Sequence, residues 1–293
     1  MSSHNNVLYA SPLTTVGSFD CPVTAPDFGN TGPAPDYLMA FPRTAVTIRH
    51  ASMRAPIVAD PNTVTLYNRG QEYERGQVSD YGDRCDWIAF APEAVAEAMA
   101  DRGVTRPGDP VRLFTTAYGR SSPRVYAAVR RLVVYLRSSP VPDGVAVEEL
   151  SLALLRRVLE QALPARTGRG RSRRAATSSR HRRLVQRVCE LLATRYAEPV
   201  TLQSIADAAH VSPHHLSRVF RDTTGMTMFQ YLRQLRLRSA LEPLEQKTTD
   251  LAAVGMSVGF CDHSHFTKHF RRAFAVPPST FRHELSAPVP PRV

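Results

Sequence analysis

The stretch TLQSIADAAHVSPHHLSRVFR at residues 201–221 recurs in altered form as DLAAVGMSVGFCDHSHFTKHFR at residues 250–271. The motif Thr201-Leu202-x-x-Ile205-Ala206 corresponds to Asp250-Leu251-x-x-Val254-Gly255 at an offset of 49 residues. From the next apolar stripe onward the offset is 50 residues, and the corresponding residues are Leu216 and Phe266, Phe220 and Phe270, and Arg221 and Arg271. The last part of the chain is therefore an internal repeat of one structural unit.

Each copy of the repeat has the pattern of a short helix, a turn with one apolar residue, and a second helix. The expected N-caps are Thr201 and Ser212 in the first copy, and Asp250 and Asp262 in the second. The small residues Ala206 and Gly255 allow the two helices of each copy to approach closely. This is the layout of a helix-turn-helix unit.

The second helix of each copy has a polar, cationic face opposite its apolar stripe. The first recognition face consists of His214, Ser217, Arg218 and Arg221, and the second consists of Ser264, Thr267, Lys268 and Arg271. Such side chains supply the hydrogen bonds and positive charge that a helix in the major groove of DNA needs. A longer helix over residues 226–241 is expected to connect the copies and to space the two faces by one DNA turn. A solvated helix surface explains one such face equally well, but not two with the same layout.

The positive charge of the chain is confined to its C-terminal part. Residues 1–163 contain 16 arginines and 17 acidic residues, whereas residues 164–293 contain 21 basic and nine acidic residues. The net charges are therefore −1 and +12, which indicates a polyanionic partner for the C-terminal part alone.

The segment 164–183, PARTGRGRSRRAATSSRHRR, contains eight arginines and no acidic residue. Its composition predicts a flexible basic linker between two domains, 1–163 and 184–284. The linker serves either as a solvated tether or as a sliding contact with DNA phosphates. Residues 285–293 are expected to form a disordered tail.

The N-terminal domain is predicted to be rich in short strands. β-prone runs at 45–50, 56–58, 64–67, 73–78 and 85–90 are separated by turn residues. Two amphipathic helices follow, at 123–137 and 145–163. The expected fold is α+β, with a β-barrel or jelly roll carrying two appended helices, followed by an all-α domain. The first 35 or so residues, rich in Pro, Gly and Ser, are expected to be loose.

Residues 184–284 resemble the AraC/XylS regulators. The matching residues are Leu202, Ile205, Ala206, Val211, Ser212, Pro213, Leu216, Ser217, Arg218, Phe220, Gly225, Tyr231, Arg236, Leu237, Val258, Gly259, Phe260, Ser264, Phe266, Phe270, Pro277, Pro278, Phe281 and Arg282. The resemblance implies double-stranded DNA and RNA polymerase as partners. It implies base contacts for His214, Ser217, Arg218, His263, Ser264, Thr267 and Lys268. Phosphate contacts are assigned to Arg221, Arg271, Ser279 and Arg282.

Three residues depart from the pattern of that family. Pro243 lies near the end of the connecting helix, which should stop or kink there because proline lacks an N–H donor. Gly255 stands where the family usually has alanine. Ala275 replaces a usual glycine before the last helix, so a positive φ there would be strained. These departures concern the rigidity of the second copy rather than its identity.

The N-terminal domain resembles the cupin-like domains often fused to this DNA-binding module, most clearly at 82–90. The resemblance implies a domain that binds a small-molecule effector or mediates dimerisation. Tyr67 and Trp87 are candidates for an effector pocket, with core packing as the alternative. The helices at 123–137 and 145–163 are expected to present an apolar stripe to a second copy in a homodimer.

Other functions are less well supported by the residues present. A cupin-type metalloenzyme fused to a DNA-binding module would need several converging histidines, yet residues 36–120 contain only His50. The cluster Cys261, His265 and His269 has no common zinc spacing, so no metal or cofactor and no enzymatic activity are expected. A nucleoid or RNA-binding protein would not need two differently composed faces. No apolar run reaches the roughly 18 residues of a membrane span and no signal peptide is recognised, so a cytoplasmic protein is expected.

Overall fold

The computed structural model describes residues 3–30, 32–101, 112–162, 175–246 and 248–285. Its strands are β1 (His4–Ala10), β2 (Thr14–Cys21), β3 (Tyr37–Pro42), β4 (Val46–His50), β5 (Ile57–Ala59), β6 (Thr63–Tyr67), β7 (Tyr73–Gln77), β8 (Asp83–Phe90) and β9 (Tyr118–Arg120). Its helices are α1 (Pro92–Ala100), α2 (Pro123–Ser138), α3 (Gly144–Ala162), α4 (Ala175–Thr194), α5 (Leu202–Ala208), α6 (Pro213–Thr224), α7 (Met228–Ser239), α8 (Leu241–Leu244), α9 (Leu251–Ser257), α10 (His263–Phe274) and α11 (Pro278–Leu285). The α+β prediction is confirmed.

The N-terminal domain contains two antiparallel sheets. The larger has the strand order β1-β2-β8-β3-β6-β9, and the smaller has the order β5-β4-β7. Side chains such as Tyr67 and Cys85 from the larger sheet pack against Val46 and Ile48 of the smaller one. Other side chains of the larger sheet, including Ile88, belong to a second core that also contains α2 and α3. All five predicted strand regions are confirmed.

The prediction that the first 35 residues are loose is wrong. Residues 4–10 and 14–21 form β1 and β2, and β2 pairs along its full length with β8. β1 is an edge strand whose first four side chains are exposed. Because its pairing depends on backbone hydrogen bonds, it lacks the alternation of apolar and polar residues that identifies a half-buried strand.

The apolar stripes of α2 and α3 are buried within the chain itself. Val125, Val129, Leu132, Val133 and Leu136 of α2 are buried, as are Val147, Leu150, Leu154, Leu155, Val158 and Leu159 of α3. They share one core with the sheet, with α1 and with the second half of the C-terminal domain. The prediction that these stripes face a second copy is therefore wrong, because the periodicity of a helix shows that a face is buried without showing what covers it.

Part of the predicted linker is helical. Helix α4 begins at Ala175, so the prediction of a flexible segment over 164–183 is wrong for 175–183, while 163–174 lie outside the described residues. Farther along α4, Val185, Val188 and Leu192 pack into the core of the first repeat copy. This packing stabilises the helix, and the Ala-rich start has adequate helix propensity to extend it toward the N-terminus. Leu285 ends α11 and is buried, so the tail is shorter than predicted, and 286–293 lie outside the described residues.

The internal repeat is present in three dimensions with the offsets found in the sequence. Helix α5 and helix α9 begin and end 49 residues apart, and α6 and α10 begin and end 50 residues apart. The same turn hydrogen bond closes each unit, from the Val211 N–H to the Ala206 carbonyl and from the Phe260 N–H to the Gly255 carbonyl, both at 3.0 Å. The extra residue lies between Phe260 and Asp262, where it leaves both helices intact.

The N-terminal domain docks on the connecting helix α7. The Tyr231 hydroxyl donates to the Asp60 carboxylate at 2.5 Å, and the Asn62 amide donates to the Tyr231 carbonyl at 3.2 Å. The fully buried Arg238 donates to the Asn62 side chain and to the Ser121 carbonyl. Burial lowers the pKa of Arg238 to about 10, so its guanidinium stays charged at neutral pH. The two domains are thus joined by buried polar contacts.

The two copies end their second helices differently, which makes a matched prediction. Gly225 and Ala275 occupy the same position after α6 and α10, and each has a φ of 69°. Because an L side chain is strained in this region, Ala275→Gly should stabilise the protein by about 1 kcal/mol and Gly225→Ala should destabilise it by about the same. Chemical denaturation of both variants measures the change, and a shift of the same sign in both would contradict this account.

Candidate nucleic-acid interface

The two recognition faces point outward from the domain. His214, Ser217, Arg218 and Arg221 on α6 are exposed, as are Ser264, Lys268 and Arg271 on α10, while Thr267 is half-buried. On the opposite sides of these helices, Leu216, Phe220, Phe266 and Phe270 are completely buried. The apolar residues therefore orient each helix so that its polar, cationic face meets solvent.

All four predicted N-caps are confirmed. The side chains of Thr201, Ser212, Asp250 and Asp262 each accept a hydrogen bond from the backbone N–H three residues later. At α10 the His265 N–H donates to Asp262 at 2.7 Å, and this bond lowers the pKa of the Asp262 carboxyl. Because these caps satisfy N–H groups that a helix leaves unpaired, they determine where each recognition helix begins.

Close packing inside the second unit depends on Gly255. A Cβ atom at this position would lie 2.9 Å from the Cβ of Phe266 on the recognition helix. The turn that follows contains Gly259 with a φ of 92°, and its counterpart in the first unit is His210 with a φ of 55°. Gly255 thus allows α9 and α10 to approach, as the sequence predicted.

The connecting helix ends before Pro243, as predicted. Helix α7 stops at Ser239, and Ala240 leads into the four-residue helix α8, which contains Pro243. In α7, Leu232 packs with the first unit and Leu237 with the core of the second. One short helix therefore contacts both helix-turn-helix units.

The side chains assigned to phosphate contacts have two different environments. Arg221, Arg271 and Ser279 are exposed, whereas Arg282 is half-buried. Arg282 and His263 line one cavity of about 480 Å³ together with residues 248–252, which precede and begin α9. The structure thus brings Arg282, from the last helix, close to the start of the second recognition helix.

The cysteine and histidine residues near α10 pack against one another and against Phe260. The Cys261 sulfur lies 3.3 Å from Nδ1 of His265, and the His265 and His269 rings are 4.7 Å apart. Burial, with the nearby positive charges, lowers the pKa of His269. Over the described ranges of the chain, no three His, Cys, Asp or Glu side chains are placed to bind a metal ion.

The two candidate effector residues lie at one hydrophobic cluster of the N-terminal domain. The buried Tyr67 packs against His50 and Tyr73, at ring separations of 4.6 and 4.9 Å. Trp87 is half-buried, and its indole N–H donates to Asn5 at 2.9 Å. Both side chains have packing roles in the structure, and an effector-binding role for them stays a prediction.

Several residues that join the two domains were not found in the sequence analysis. Asp60, Asn62, Tyr231 and Arg238 form the polar contact with α7, and Arg130 joins Asp86 to Glu245. Arg130 and Arg238 interrupt apolar stripes of α2 and α7, and this was the one available signal. Their partners lie more than 40 residues away in the sequence, so no local pattern identifies them.

Comparison with known proteins gives matches in the helical part of the chain. A helix-turn-helix domain family matches residues 205–284. The HTH-type transcriptional activator RhaS of Pectobacterium carotovorum is 31% identical over 150 residues, which are 51% of this chain and 50% of RhaS. The bifunctional transcriptional activator/DNA repair enzyme AdaA of Bacillus subtilis is 30% identical over 98 residues, covering 33% of this chain and 46% of AdaA. The regulatory protein SoxS of Salmonella typhimurium is 30% identical over 105 residues, covering 36% of this chain and 98% of SoxS.

Two helix-turn-helix units joined by one helix, each with an exposed cationic recognition face, define the class of tandem helix-turn-helix proteins. The match to nearly the whole of SoxS, together with the helix-turn-helix domain match, identifies the family. The chain belongs to the AraC/XylS family of regulators. It spans about half the length of the curated relatives RhaS and AdaA.

Proposed function

We propose that this protein is a sequence-specific DNA-binding regulator of transcription that reads two successive major grooves with α6 and α10. The observation that supports this most strongly is the repeated unit itself. Two helices with the same caps and the same buried stripe expose polar, cationic faces that contain no acidic residue. A helix docked in the major groove needs this combination of hydrogen-bonding groups and charge.

The charge distribution supports DNA as the partner. The net charge of +12 over residues 164–293 would release condensed counterions from phosphates, whereas the N-terminal domain is close to neutral. We assign base contacts to His214, Ser217, Arg218, His263, Ser264, Thr267 and Lys268. Phosphate contacts are assigned to Arg221, Arg271, Ser279 and Arg282. No helix within the described residues is long and apolar enough to cross a membrane.

The N-terminal domain is proposed to control the DNA-binding domain in response to a small-molecule effector. Its contacts with α7 support this role, since a change at Asp60 or Asn62 would reach the helix between the two recognition units. By similarity to RhaS, the protein acts in the cytoplasm as an activator, with RNA polymerase as a partner. We propose no catalytic activity, because His50 is packed against Tyr67 inside the domain rather than beside other metal-ligating side chains.

The proposal is tested by mapping the DNA that the full-length protein binds across its genome, followed by footprinting of the best sites. Two protected segments whose centres are about 10 base pairs apart are expected. Affinity should fall steeply as salt concentration rises, because several phosphates are neutralised. Uniform binding without a preferred sequence would instead indicate a nucleoid or RNA-binding protein.

A further inference from the structure

A polar cavity of about 330 Å³ lies between the two domains, apart from the recognition faces. Strands β1 and β2 form one wall, the end of α2 contributes Arg137, and the segment from α8 onward contributes Glu242 and Glu245. All the lining side chains except Phe19 are polar or charged. A ligand for this cavity must therefore be hydrophilic, since an apolar tail would find no apolar surface to cover it.

The cavity contains more guanidinium donors than carboxylate acceptors can satisfy. Glu242 alone forms ion pairs with both Arg43 and Arg84, the second at 2.7 Å. Only 8% of the Arg43 side chain is exposed, and its Nε has no hydrogen-bond partner. A buried donor without an acceptor is costly, so this arrangement favours binding of a further acceptor.

Arg137 is a second unsatisfied cation in the wall of the cavity. Its side chain forms no hydrogen bond or ion pair with any residue that the structure describes. Burial lowers the pKa of Arg137, which shows that its charge is partly removed from water. Arginine recognises carboxylate and phosphate groups because its planar donors match two of their oxygens.

We propose that this cavity binds a small, hydrophilic anion bearing a carboxylate or phosphate group, which contacts Arg137 and competes with Glu242 for Arg43 and Arg84. Glu242 belongs to the DNA-binding domain, whereas Arg43 and Arg84 belong to the N-terminal domain. Binding of the anion thus replaces a contact between the domains with a contact to the ligand. Its effect on DNA binding rests on the proposed function, but binding of the anion itself does not.

Calorimetric titration of the full-length protein with succinate and with inorganic phosphate, without DNA and at constant ionic strength, tests the site. Saturable binding of either anion supports the proposal, and the one that binds identifies the chemical group. Arg137→Gln should weaken binding at least about tenfold, because a charged hydrogen bond is lost. Glu242→Gln should strengthen it by a similar factor, because the competing carboxylate is removed.

Arg124→Gln, at an exposed position on the same helix as Arg137, is the matched control and should bind as the unmodified protein does. The opposite signs of the Arg137 and Glu242 variants separate a specific site from general loss of structure. Failure of both anions to bind would overturn the proposal. Equal affinity in the Arg137→Gln and control proteins would overturn it as well, as would weaker binding by Glu242→Gln.

Discussion

Replacing Arg218 and Lys268 together by alanine is expected to abolish specific DNA binding. Each side chain lies on an exposed recognition face, one on α6 and one on α10. A good contact to a base edge contributes about 1–3 kcal/mol, so the two losses together reduce affinity by a factor of roughly 30 to more than 10,000. Footprinting and a binding titration on the best genomic site measure the effect.

The control for this prediction changes charge equally at a distance from DNA. Arg156 and Arg157 are exposed on α3, where their partners Glu97 and Glu160 lie 3.6 and 3.3 Å away. Their double replacement by alanine should leave the footprint unchanged. A footprint that survives loss of Arg218 and Lys268 would show that these helices are not the recognition elements.

Replacing Arg130 by alanine is expected to destabilise the protein by about 3–5 kcal/mol, because it leaves a buried carboxylate without its counter-charge. Arg130 on α2 is 2% exposed and pairs with Asp86, which is fully buried, and with Glu245. Although burial opposes the charged form, these two carboxylates raise the pKa of Arg130 above its ordinary value. Urea denaturation of the full-length protein measures the change.

Two further variants show whether the pairing itself is responsible. Arg157→Ala removes an exposed arginine and its partner contact on α3, and it should cost less than about 1 kcal/mol. Replacing Arg130 by methionine and Asp86 by leucine together removes both buried charges, so most of the stability should return. A loss of less than about 1 kcal/mol in Arg130→Ala would contradict the assignment of a buried ion network between the domains.

The helix-turn-helix units could be predicted in detail because their determinants are local. An N-cap such as Asp262 acts on the backbone three residues later, and an apolar stripe repeats within one turn of helix. The repeat added a second, independent test of each position. The strands of the N-terminal domain were found where turn residues bracket β-prone runs, but the edge strand β1 and the start of α4 were missed.

The sequence by itself determined two helix-turn-helix units, their caps, their recognition faces and a strand-rich N-terminal domain. Only the tertiary structure decided what covers the stripes of α2 and α3, and that Arg130, Tyr231 and Arg238 join the domains. The physical reason is distance along the chain. Caps and periodicity act within one or two helical turns, whereas Arg130 and Glu245 are 115 residues apart and meet only when both domains have folded.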